Sequence, residues 1–129
     1  MGAVSLKSAA KTRILVVDDH PLMREGLASL IKRHDDFVFC GGAGTVAETH
    51  EAVKAQKPDL VLLDLFLNGG DGLELIKVLK SQFPSLLILV LSQFDESLYA
   101  ERALRAGAHG YVMKERAVKE VVDAIRTIL

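Results

Sequence analysis

Five short runs of aliphatic and β-branched residues, separated by longer stretches with helical periodicity, constrain this chain more than any other feature. The runs cover residues 13–17, 37–40, 59–63, 86–91 and 110–113. Most are continuously apolar rather than alternating, the pattern of strands covered on both faces. Between them, apolar residues recur at helical spacing. Pro21 suits the first turn of a helix whose stripe is Met23, Leu27, Leu30 and Ile31. Thr45, with Glu48 three residues on, reads as a capping box for a helix carrying Val46 and Val53. A third helix begins near Gly72, buries Leu73, Ile76, and Leu79 or the stem of Lys80, and ends before Pro84. A fourth runs from about Asp95 to Ala106 and is closed by Gly107. The fifth, residues 117–129, repeats apolar residues at Val118, Val121, Val122, Ile125 and Ile128.

Strands alternating with helices through short links predict an α/β fold with a parallel sheet. At 129 residues there is room for one domain. The expected solution is a flavodoxin-like (CheY-like), doubly wound, five-stranded sheet of order 2-1-3-4-5 with helices on both faces. Residues 1–11 are small and polar with two lysines and read as a flexible tail, leaving 12–129 as the domain. Half of the residues are hydrophobic and 26% are charged, which suits a soluble globule with a true core. Only 5% are aromatic and none is Trp, so that core is aliphatic. Lys plus Arg number 16 against 17 Asp plus Glu, a net charge of -1 that gives no basic field for nucleic acid. The longest apolar run, residues 86–91, is far too short to span a bilayer, and the N-terminus lacks the apolar centre of a signal peptide. Cys40 alone excludes an internal disulfide and a multi-cysteine zinc site, so the expected compartment is a reducing cytoplasm.

The chemistry lies at the strand ends. Doubly wound sheets place ligands outside the carboxyl ends of their strands, where the strand order reverses. Here the first strand runs into Asp18-Asp19, the third into Asp64, the fourth into Ser92 and the fifth into Lys114. Taken singly, each is bland: an Asp after a strand is a turn or cap residue, Ser92 is ordinary, and Lys114 is a solvated loop residue. Together they differ. Three carboxylates in one crevice repel one another and do not all stay ionised without a cation. A hard divalent ion, Mg²⁺ above others, relieves that repulsion and binds alongside phosphate oxygens. Carboxylate, metal, ammonium and hydroxyl are the parts needed to hold a phosphoryl group.

This constellation resembles the receiver domain of two-component response regulators, from about Arg13 onward. The resemblance extends to Asp19-His-Pro-Leu-Met-Arg-Glu-Gly26 and Gly107-Ala-His-Gly-Tyr-Val-Met-Lys114, which are most similar to the NarL/FixJ subfamily with its LuxR-type helix-turn-helix output. It implies that Asp64 accepts a phosphoryl group from a phosphohistidine. It implies that Asp18 and Asp19 hold Mg²⁺ together with Asp64 and the Phe66 backbone carbonyl, Asp19 as a direct ligand. Lys114 then pairs with phosphoryl oxygens. Ser92 hydrogen-bonds the new group, and Tyr111 follows as the aromatic switch, although a Tyr in a strand is also a core residue with its hydroxyl at the rim. The implied partners are a histidine kinase or a histidine phosphotransfer protein, with a homodimer forming on phosphorylation. No direct contact with nucleic acid or membrane is expected of this chain, the DNA-binding domain lying outside it.

Two features depart from the usual receiver. Asn68, followed by Gly69-Gly70, stands where a Pro is customary, and Phe66 and Phe94 each lie two residues past a site residue. The two rings either exclude the water that would hydrolyse an aspartyl phosphate or simply cover apolar surface. Gly41-Gly-Ala-Gly44 reads as a turn, His20 as a turn residue beside the acidic pair, and Cys40 as a small buried hydrophobe. Two competing functions fit these residues less well. A Mg²⁺-dependent aspartyl-phosphate phosphohydrolase would carry Asp-x-Asp after the first strand and a cap domain. A phosphorylation-independent protein-binding module would not need all five polar residues.

Overall fold

The structure is a computed structural model and describes residues 11–67, 70–93 and 97–129. Its elements alternate strictly: β1 (Thr12–Val17), α1 (Pro21–Lys32), β2 (Phe37–Ala43), α2 (Val46–Gln56), β3 (Leu60–Asp64), α3 (Gly72–Gln82), β4 (Leu87–Ser92), α4 (Ser97–Ala106), β5 (Gly110–Met113), a 3₁₀ turn (Lys114–Arg116) and α5 (Ala117–Ile128). All strand pairs are parallel, in the order β2-β1-β3-β4-β5. The expected fold is therefore the observed one. The tail and residues 94–96, where the fourth helix was expected to begin, lie outside the described residues, as do Asn68 and Gly69.

Strand alternation divides the core in two. Leu15, Val17, Val61, Leu63, Ile88 and Val90 point to the side covered by Val53 of α2, Ile76 and Leu79 of α3, and Ala103 of α4. Ile14, Val16, Leu60, Leu62, Leu89 and Leu91 face Leu27 and Ile31 of α1 and Val121 and Ile125 of α5. Sandwiched between these layers, β1, β3 and β4 have no solvent-facing side, which is why they read as unbroken apolar runs.

Local chemistry sets the helix ends. Thr45 caps α2 by accepting from the Glu48 N–H at 3.1 Å, while the Glu48 carboxylate reaches past Thr45 to the Gly44 N–H at 2.8 Å. Asp71 caps α3 by accepting from the Leu73 N–H at 2.8 Å. Gly107 ends α4 with φ +123°, a conformation that suits glycine.

Four expectations are corrected. Gly41-Gly42-Ala43 is not a turn but the end of β2. A register shift between Ile14 and Leu15 leaves Cys40 as the extra residue of a β-bulge, and Gly41 adopts φ +151° there. Cys40 is accordingly half-buried against the core, and desolvation pushes its thiol pKa up. On α5 the buried positions are Ala117, Val121 and Ile125, spaced by four. Val118 lies about 100° around the helix from that line and is 74% exposed. On α3, Leu75 is buried along with Ile76 and Leu79, whereas Leu73 is only partly covered.

Two glycines make this packing testable. A Cβ on Gly72 would sit 2.0 Å from the Leu65 carbonyl oxygen, whereas one on Gly26 of α1 would meet nothing within 4 Å. Gly72→Ala is expected to cost about 3 kcal/mol or more in urea unfolding. Gly26→Ala is expected to stabilise by about 0.5–1 kcal/mol.

Candidate functional site

The register explains how residues far apart in sequence meet. Val17 pairs with Leu63, so Asp18 and Asp64 emerge at the same level of adjacent strands. Asp64 pairs with Leu91, putting Ser92 one residue beyond that level, and Ser92 pairs with Met113, putting Lys114 one further. The long Lys114 side chain reaches back to cover the difference. Its Nζ lies 2.8 Å from Asp18 Oδ2 and 3.1 Å from Asp64 Oδ2. This is the carboxyl edge of the sheet at the reversal between β1 and β3, where the sequence placed it.

The group is deeply withdrawn from solvent. Asp18 and Ser92 are fully buried and Asp64 is 2% exposed. Asp64 Oδ1 accepts from the Phe66 N–H at 3.1 Å. Asp18 Oδ1 accepts from the His20 N–H at 2.9 Å. Burial raises the Asp64 pKa above the ordinary carboxylate value, against the opposing pull of the Phe66 N–H and the Lys114 ammonium. Burial also works against the charged Lys114, but its pairing with Asp18 and Asp64 outweighs this, and the net shift is upward.

Asp18, Asp19, His20 and Asp64 offer ligand atoms that all lie within 4.8 Å of one another. Two buried oxygens of this set, Asp18 Oδ2 and Asp19 Oδ1, make no hydrogen bond. Each nevertheless has a polar neighbour at ion-pair distance, Lys114 Nζ at 2.8 Å from Asp18 Oδ2 and His20 Nδ1 at 3.0 Å from Asp19 Oδ1. Acceptor-only atoms crowded together in this way fit a hard divalent cation with oxygen ligands.

The sequence singled out Asp18, Asp19, Asp64 and Lys114, and the structure brings their side chains together. Ser92 ends the neighbouring strand, and Tyr111 is partly buried in β5 against the core. Phe66 is 44% exposed, with its ring edge-on to Tyr99 at 5.3 Å between centroids. Phe94, its expected partner, lies outside the described residues. Two side-chain contacts of the acidic pair were not expected. His20, read only as a turn residue, folds its ring over the carboxylates, with Nδ1 2.8 Å from Asp18 Oδ1. Arg24 stands one helical turn further on and donates from Nη1 to the Asp18 carbonyl at 2.6 Å. Its i, i+4 spacing from His20, just after the helix-starting Pro21, was the available signal.

Comparison with known proteins gives the family. The response regulator receiver domain family matches residues 14–126, and the chain belongs to that family. The transcriptional regulatory protein YxjL of Bacillus subtilis is 36% identical over 116 residues, which cover 90% of this chain and 53% of that protein. The response regulator protein VraR of Staphylococcus aureus is 35% identical over 118 residues, covering 88% of this chain and 54% of that protein. The chain thus spans about half the length of the curated relatives it matches. A solved LuxR-family two-component response regulator from Aurantimonas superposes with a TM-score of 0.86 at 34% identity, covering 92% of this chain and 85% of that one. The chain is a receiver domain, a signalling module of two-component systems.

The raised Asp64 pKa fixes the sign of a pH effect. An acid that holds its proton more tightly when folded destabilises the native state at pH values above its unfolded pKa. In metal-free buffer, Asp64→Asn is therefore expected to raise Tm at pH 7. That gain should shrink as the pH falls toward and below the ordinary aspartate value of 3.8. Thermal unfolding followed by circular dichroism across this range checks it.

Proposed function

We propose that this domain is a phosphorylation-dependent switch in which Asp64 accepts a phosphoryl group from the phosphohistidine of a histidine kinase or phosphotransfer protein. The observation that carries the proposal is the nearly buried Asp64 at the end of β3, with the Lys114 ammonium 3.1 Å from its Oδ2 and the Asp18 carboxylate on the same ammonium.

In this reading an Asp64 oxygen attacks phosphorus in line with the departing imidazole nitrogen, so that a P–O bond forms as the P–N bond breaks. The raised pKa of Asp64 reflects a carboxylate stripped of water, with little solvation to shed before attack. A divalent cation, Mg²⁺ in the cell, supplies positive charge to the transferring oxygens when it is held by Asp18, Asp19, Asp64 and the Phe66 carbonyl. Lys114 exchanges part of its pairing with Asp64 for the phosphoryl oxygens, a role suited to a point charge. Ser92 donates its hydroxyl to the same group, and Tyr111, three residues before Lys114 on the adjacent strand, carries the change toward α4. New charge-assisted bonds at one edge of the sheet thereby bias a two-state equilibrium read on another face. Spontaneous hydrolysis of the aspartyl phosphate resets the switch, and the Phe66 ring, standing on Tyr99, shields the approach of water.

The naming of YxjL as a transcriptional regulatory protein, and the fraction of its length that this chain spans, support control of transcription through a DNA-binding domain outside it. Phosphorylation would act there by promoting a homodimer. No helix among the described residues is long and apolar enough to cross a membrane.

Intact-mass spectrometry after incubation with acetyl phosphate tests the switch. The expected result is a single phosphoryl adduct that requires Mg²⁺ and is absent in Asp64→Asn. No adduct under any condition would instead favour a domain that binds its partners without phosphorylation. Given an adduct, Phe66→Asn is expected to speed its loss several-fold, and an unchanged rate would remove the shielding role.

A further inference from the structure

His20 is placed for a role that the three carboxylates cannot fill. Pro21 supplies no N–H and restricts the residue before it to extended backbone, and His20 has φ -97° and ψ 109°. It is the N-cap residue of α1, yet its side chain makes no capping bond. The ring instead turns back over the acidic cluster. Nδ1 lies 2.8 Å from Asp18 Oδ1, 3.0 Å from Asp19 Oδ1 and 3.3 Å from Lys114 Nζ. The backbone N–H of the same residue is tied to Asp18 Oδ1 at 2.9 Å, which holds the turn shut. One ring nitrogen thus reaches two carboxylates, and both own a buried oxygen without a hydrogen bond.

An imidazole among carboxylates changes which cations a site prefers. Mg²⁺ takes oxygen ligands and keeps several waters, so a nitrogen donor adds little for it. Co²⁺, Ni²⁺ and Zn²⁺ are softer than Mg²⁺ and accept imidazole readily. We infer that His20 is an additional metal ligand, through Nδ1 of the neutral ring with its proton on Nε2. The acidic site is thereby a mixed nitrogen and oxygen site for borderline divalent cations as well as a Mg²⁺ site. The inference rests on the reading that Asp18, Asp19 and Asp64 hold a divalent cation, and it assigns His20 a ligand role that this reading does not need.

The test uses the full chain freed of metal with a chelator and titrated calorimetrically with Mg²⁺, Co²⁺ and Zn²⁺. The Co²⁺ titration is also followed by visible absorption, which reports nitrogen ligation directly. His20→Ala is expected to weaken Co²⁺ and Zn²⁺ by about tenfold or more, the loss that even an outer-shell partner can bring. Mg²⁺ affinity should stay within about twofold, and the Co²⁺ spectrum should shift. Asp19→Asn, which keeps every histidine, separates this site from other surface imidazoles and should weaken all three ions. Unchanged Co²⁺ and Zn²⁺ affinity in His20→Ala, with Mg²⁺ still bound, would overturn the His20 role and leave the acidic site standing. Tighter binding of all three ions in that variant would also overturn it, since the ring would then be a competitor of the cation. No binding of any ion by the unmutated chain would instead defeat the cation reading on which the inference rests.

Discussion

Asp18 and Asp64 are withdrawn from water side by side, and a single ammonium group, Lys114 Nζ, stands within 3.1 Å of both. Two carboxylates in that position repel, and one lysine does not neutralise them. The arrangement survives because the apolar faces around it are so fully packed that the strand ends cannot splay to let water in. At the same time it leaves the site with excess negative charge and unsatisfied acceptor oxygens. That imbalance fits the cluster for a divalent cation. A fully compensated cluster would be more stable and would fit one less well.

Much of this was legible in the sequence because the relevant signals are local in the chain. An apolar run that stops abruptly on Asp64 or Ser92 marks both a strand and the edge at which it ends. Parallel topology then brings those edges together without further information. What escaped depends on the partner rather than on the segment. Gly41 and Gly42 have the composition of a turn, and only pairing with β1 makes them a bulged strand end. Val118 has the spacing of a core residue, but the line that α5 buries is set by where Ala117 meets the sheet layer. The ring position of His20 is set by the turn after Asp19, which no periodicity describes, and Arg24 follows it at helical spacing on α1.

Arg24 adds support to that loop. Its guanidinium holds the Asp18 carbonyl and lies against Gly42 and Gly44, where a Cβ on Gly44 would stand 3.0 Å from Nη1. Gly42 at the end of β2 and Gly44 just beyond it leave room for an arginine from α1, so the bulged end of an edge strand helps to fix the acidic pair that follows its neighbour β1.

The sheet also acts as a partition. Val16 and Val17 are bonded neighbours, yet Val16 packs with α1 and α5 while Val17 packs with α2, α3 and α4. Residues adjacent in sequence therefore belong to separate packing environments, whereas Val17 and Val53, 36 positions apart, share one. Compensating changes in such a protein need to arise across a layer rather than along a strand. One helical layer can drift in sequence while the other is held, provided the strands between them keep their spacing.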